Sequence, residues 1–174
     1  MANRIKGAKL ALVRGLHITA IALWTGGIAA AIALLLVFAG SGSSEVVAAL
    51  CDAEAALDNF VIIPGAMIAI LTACLFGSFT TWGYFKRRWI VLKWALSMLI
   101  IVSGSLLMIP CVDAIRDAVS QGAASTVASC GSYPLLVILL AAQMIICVVM
   151  VFVSVCKPRF GQDSNRDKSR TQSR

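Results

Sequence analysis

Four apolar stretches dominate this chain: roughly Gly15–Ala39, Phe60–Trp82, Trp89–Val112 and Tyr133–Cys156. Each has the ~20 helical residues needed to cross a hydrocarbon core of about 30 Å. Helices in the core of a soluble protein keep a polar face, and these stretches have none. With 60% hydrophobic and 13% charged residues, and a mean hydropathy of +0.91, the 174-residue chain requires lipid as its solvent. The expected fold is all-α: a polytopic membrane protein with a four-transmembrane-helix bundle. Val37-Phe38-Ala39 imitates a signal-peptidase site. The run before it exceeds the usual h-region of about 7–15 residues, so the first stretch reads as an uncleaved span.

The cations set the expected orientation. Arg4, Lys6, Lys9 and Arg14 precede the first span, and Lys86, Arg87, Arg88 and Lys93 lie around the second connection. Lys157, Arg159, Arg166, Lys168, Arg170 and Arg174 follow the fourth span, leaving only Arg116 on the other side. The positive-inside rule then places both termini and the middle loop in the cytoplasm. Localisation in a bacterial inner membrane, as a multi-pass protein, follows as an expectation. The net charge of +7 is distributed between spans and does not line a face, which argues against nucleic acid as a partner. The bilayer is the expected partner.

Residues 1–160 form the expected transmembrane domain. The polar, aperiodic segment 161–174 has the composition of a disordered basic cytoplasmic tail. Val46, Leu50, Ala53, Leu57 and Phe60 recur at helical spacing after Ser44, a candidate N-cap. Helix two is therefore expected to begin outside the membrane and to bend near Pro64. Helix three is expected to continue beyond Pro110 and to end near Gly122. Gly65, Ala69, Ala73 and Gly77, spaced by four, make a smooth ridge suited to packing within the bundle or between two copies of the chain. Gly26-Gly27, and Ser97 with Gly104, suit close packing in helices one and three.

Few residues could carry chemistry. His17 is the sole histidine, one turn past Arg14, and Lys93 lies five residues past Arg88. Those spacings correspond to about 4–5 Å and about 7–8 Å of helix rise, so both lie near the cytoplasmic end. Ionisable groups inside membranes are costly and mark sites, although a lysine near a helix end also serves as a snorkelling anchor. His17 suits ligand or proton work, including metal ligation, and equally an interhelical hydrogen bond. Trp24, two turns on, shares its face. Thr72 and Gln143 read as packing glue. Cys111 and Cys130 fall on the outer side, where a bridge between them would close a modest loop. Paired carboxylates, a nucleophile triad and a phosphate loop are all missing from the sequence, so hydrolase and kinase chemistry is unsupported and a non-enzymatic role is favoured.

The pattern Leu16-His17…Trp24-x-Gly26-Gly27, with Ile63-Pro64-Gly65 and Trp89-x-x-x-Lys93, resembles a group of small bacterial membrane proteins. The group includes CopD-like domains, HemJ-type protoporphyrinogen oxidases and an uncharacterised four-helix family; Thr81–Trp89 looks most like the last. Similarity to the HemJ-type enzymes implies haem b as cofactor, with His17 and Lys93 as the implicated pair. The chain lacks their further histidines and the Pro-Arg segment after helix one, so a bis-histidine haem within one chain is not available. The resemblance thus leaves three expectations open: an inner-membrane protein of unassigned role, a haem-linked redox protein, or a small transporter or transporter subunit.

Overall fold

A computed structural model of the chain describes residues 7–79 and 88–156. Four helical rods are long and apolar enough to span a membrane: Ala8–Val37, Ser44–Ser78, Arg88–Ser120 and Tyr133–Cys156. The protein is an all-α, polytopic membrane protein. The helices are α1 (Ala8–Val37), α2 (Ser44–Leu57), α3 (Ile63–Phe79), α4 (Arg88–Ser103), α5 (Ile109–Ser120) and α6 (Tyr133–Cys156). One end of the bundle carries Lys9, Arg14, Arg88 and Lys93 and is called here the basic end. The other, the loop end, carries the connections 38–43 and 121–132.

Rods two and three each change pitch once. A π-helical turn, Asp58–Ile62, joins α2 to α3, and another, Gly104–Met108, joins α4 to α5. The cause lies two residues further on, at Pro64 and Pro110. In a regular α-helix a proline ring strikes the carbonyl four residues earlier and offers it no N–H. Those carbonyls belong to Phe60 and Leu106, each in the middle of its π turn, where the wider turn relieves the clash. Side-chain amides attend both turns. Asn59 Nδ2 donates to the Ala55 carbonyl at 2.8 Å. Buried Gln143 of α6 donates Nε2–H toward Ile100 O at 3.2 Å, Ser103 Oγ at 3.1 Å and Met108 Sδ at 3.1 Å.

These turns also divide the packing. At the loop end α2 packs on α5, α1 on α2 and α5 on α6, which closes a ring of four rods. Arg116 Nη2 donates to Asp52 Oδ1 at 2.6 Å across the α2–α5 contact. On the basic side α3 packs along α1, α1 along α6 and α6 along α4, and among the described residues the α3–α4 approach is less extensive than these.

Burial follows the same division. Ile28, Val47, Ile115, Val127, Leu136 and Leu140 are nearly inaccessible and fill the middle and the loop end. Toward the basic end the deepest-set residues are Ala20 on α1, Thr72 on α3, Ile100 on α4 and Met150 on α6. No described residue beyond those four, toward the basic end, is buried.

Small residues set the tight α1–α3 contact. A Cβ on Gly65 would stand 2.9 Å from Trp24 N and 3.1 Å from Ala20 O. Gly65 and Ala69 are buried, whereas Ala73 and Gly77 of the same ridge are half-buried. The ridge therefore serves contact within the chain over its first two members. Gly27 faces Ile62 and Val61, but Gly26 has open space where a Cβ would go, so only one of the paired glycines packs closely. The expected cap moves by one residue: Ser43 is the N-cap of α2, its carbonyl accepting from Val47 N–H at 3.0 Å. Gly122, at φ 69°, adopts the left-handed backbone that stops α5. Cys51, Cys111 and Cys130 are buried free thiols; Cys51 Sγ lies 3.8 Å from Val112 O, and Cys130 Sγ 3.5 Å from Thr126 O. The expected tail, 161–174, and the Thr81–Trp82 part of the second connection lie outside the described residues.

Candidate functional site at the basic end

His17 stands on α1 where that helix meets α3. Its Nδ1 lies 2.7 Å from Thr72 Oγ1, and the ring meets Phe76 edge to face with centroids 5.5 Å apart. Thr72 is buried, and its hydroxyl lies 2.7 Å from Ile68 O and 3.0 Å from Ala69 O, carbonyls of its own helix. A hydroxyl has one proton to donate, and those carbonyls accept only. With the Thr72 proton directed to α3, Nδ1 carries the donor hydrogen, and in the neutral ring Nε2 holds the lone pair.

Lys93 stands on α4 and turns toward α6. Its Nζ donates to Ser154 Oγ at 2.8 Å, and Ser154 in turn donates to Met150 O at 2.7 Å. One turn deeper, Ser97 Oγ approaches Met150 Sδ at 3.5 Å. The amine is thus held inside the helix contact and does not extend along the lipid face. Among the described residues no direct bond joins it to His17.

Among the described residues, charge at this end has one sign. Every described carboxylate lies in segments 45–58 or 113–117, toward the loop end. Among the described residues Lys93 has no carboxylate near it, and its hydrogen-bond partner there is a hydroxyl, which brings no neutralising charge. Arg14 and Arg88, both exposed, add to the field.

Trp24 shares the His17 face of α1 but not its surroundings. It is 4% exposed and backs onto Gly65, so it forms the floor beneath the site and is not a member of it. Among the described residues no three His, Cys, Asp or Glu side chains come together, so a metal on His17 would draw its other ligands from different chemistry. Ser154 and Phe76 were not signalled by the sequence. A lone hydroxyl near the end of an apolar helix is a weak cue until the register of α4 against α6 is known.

The fold and these residues define a class, the polytopic α-helical membrane protein with polar and cationic side chains set into its helix contacts toward one end. No family model, curated protein or solved structure matches the chain.

Proposed function

We propose that this chain is a multi-pass protein of a bacterial cytoplasmic membrane, with its basic end in the cytoplasm, and that this end is a non-enzymatic recess for an anionic ligand. One observation carries the reading. His17 and Lys93 are half-buried toward the basic end of the bundle, where the described residues include cations but no carboxylate. Protein interiors are ordinarily close-packed, and unpaired cations in apolar surroundings attract counter-charge.

The single histidine makes the test direct. In untagged, imidazole-nitrogen-labelled protein, His17 gives the sole histidine signal. Adding inorganic phosphate or an anionic phospholipid should shift it in wild type and much less in Lys93→Met. If neither anion moves the signal, the recess is not an anion site.

A second reading has its own observation. With Nδ1 committed to Thr72, His17 offers Nε2 as a metal ligand, and Lys93 is a cation suited to a propionate. If a haem binds, His17 would supply one nitrogen ligand to the iron and Lys93 a cationic contact to a carboxylate, as the similarity to HemJ-type oxidases implies. Protein produced with ample haem should then show a Soret band that His17→Ala abolishes. Its absence from wild type would leave the anion reading alone.

A further inference from the structure

At the loop end α2 and α5 are joined by an ion pair, and two polar atoms beside it are left over. Arg116 of α5 is the one cation among the described residues of this end, where Glu45, Asp52, Glu54, Asp58, Asp113 and Asp117 lie. Its Nη2 donates to Asp52 Oδ1 at 2.6 Å, on the exposed side of the contact. Its Nε is buried and has no hydrogen-bond partner, and Glu54 Oε1 on α2 is buried and unpartnered in the same way. The guanidinium nitrogen can only donate, and a carboxylate oxygen can only accept. Each unpaired atom carries the desolvation penalty of its group.

One buried thiol relates the two. Both the Arg116 guanidinium and the Glu54 carboxylate act on Cys51. Cys51 precedes Glu54 by three residues, and side chains at that spacing are neighbours on a helix surface. Burial, and then the Asp58 carboxylate, push the Glu54 pKa up to about 7, so both of its protonation states are reached near neutrality. The helix α2 packs on α5, α1 and the π turn. Besides Arg116, α5 brings Cys111, Asp113 and Asp117, the π turn brings Asp58, and α1 has no titratable side chain from Ile18 to Val37.

We propose that Asp52, Arg116 and Glu54 form a proton-controlled clasp between α2 and α5. With Glu54 protonated, Arg116 holds Asp52 alone, the arrangement observed here. When Glu54 releases its proton to solvent, its carboxylate turns to the Arg116 Nε–H, and one guanidinium bridges two carboxylates. Arginine suits the task because its planar group presents donors along two edges at once, whereas a lysine ammonium is a compact point charge. In the orientation proposed above, the clasp samples the pH outside the cytoplasm. It involves the loop end alone and does not depend on the anion recess.

The test uses full-length protein in nonionic detergent, with carboxyl-carbon-labelled glutamate and side-chain-nitrogen-labelled arginine. Glu45 and Glu54 are the two glutamates of the chain, so Glu54→Gln assigns the carboxyl signals, and Arg116→Met assigns the arginine signal. In wild type the Glu54 carboxyl and the Arg116 Nε–H should shift through one transition with a common midpoint. Arg116→Met should raise the Glu54 midpoint by at least about one pH unit, a tenfold change in proton affinity. Arg116→Lys, which keeps the charge but has no Nε–H, should reverse only part of that rise. Glu54→Gln should make the Arg116 signal independent of pH, and Asp52→Asn should leave the shared transition in place. A Glu54 titration without an Arg116 response, an Arg116 response that persists in Glu54→Gln, or full reversal by Arg116→Lys overturns the proposal. The first of these is read in unsubstituted protein against Glu54→Gln alone, so an Arg116 variant that fails to fold does not shield the clasp from refutation.

Discussion

The backbone nitrogen of Trp24 lies 2.9 Å from the point where a side chain on Gly65 would begin, so α1 and α3 meet at a distance that only glycine permits. Lipid gives two membrane helices little hydrophobic reason to associate, so this contact depends on dispersion over a close approach. Gly65→Ala should lower the melting temperature in detergent, with overpacking of this kind destabilising by about 1–3 kcal/mol. Gly26→Ala is the matched control. Its Cβ would meet open space, and removing a helical glycine should be neutral or stabilising by up to about 1 kcal/mol. Equal melting shifts for the two would show that the α1–α3 approach is not the constraint.

Gln143 is 5% exposed and supplies donors to the end of α4 and its π turn. Gln143→Met keeps the length and removes the amide. Interhelical hydrogen bonds in membranes contribute on average about 0.6 kcal/mol, with about 1.7 as the upper end. Loss of stability within that range is expected in a denaturation series in mixed micelles, and Ser103→Ala in the same background should add little. Additive losses from the two substitutions would mean that they do not share one network.

Glu54 gives the loop end a pH response. Burial, with the Asp58 carboxylate one turn on as a smaller cause, pushes its pKa up to about 7, and its Oε1 is buried without a partner. The folded state then holds a proton that the unfolded chain has released, from the ordinary carboxylate range up to about 7. Stability from this group is therefore present at acidic pH and falls as pH rises through that window. Glu54→Gln should melt at a higher temperature than wild type at pH 8, and the difference should shrink toward pH 5. A gap that does not change with pH would remove Glu54 as its source.

Orientation is read from charge and can be checked chemically. A Ser125→Cys probe in a background without reactive cysteines should react with an impermeant maleimide added outside intact cells. Reporters fused at either terminus should behave as cytoplasmic. Labelling of the probe only after the inner face is exposed would invert the assignment.

Much of this architecture was legible because apolar length and charge asymmetry act at the scale of whole helices. All four spans are found, and Tyr133–Cys156 agrees with α6 at both ends. The first span begins earlier than its apolar run, at Ala8, because the bilayer limits hydrophobic length and not helical length. Pro64 announced a bend and Pro110 a helix that runs on past it, but neither announced a π turn. That choice depends on whether the adjoining helix can continue past the proline and find packing. The site was legible in part. His17 and Lys93 stand out as rare ionisable groups, whereas Thr72 read as glue and Ser154 gave no sign. Which of Gly26 and Gly27 faces a neighbour likewise depends on helix rotation, which residues all of one kind cannot encode.

At the loop end, Ser41 O accepts from Val127 N–H at 2.9 Å and Ala39 O from Ala128 N–H at 2.8 Å, while Gly42 lets the carbonyl of Ser125 come close. The connection after α1 is thus completed by the connection before α6, with two whole rods between them in the chain. A ribosome delivers the first connection long before the second exists. Until the third connection has crossed the membrane, those carbonyls have only water, and the first hairpin has no lock at its tip. The closed end of the bundle is therefore the last part to be assembled during synthesis, and a chain truncated before α6 would leave it unsealed.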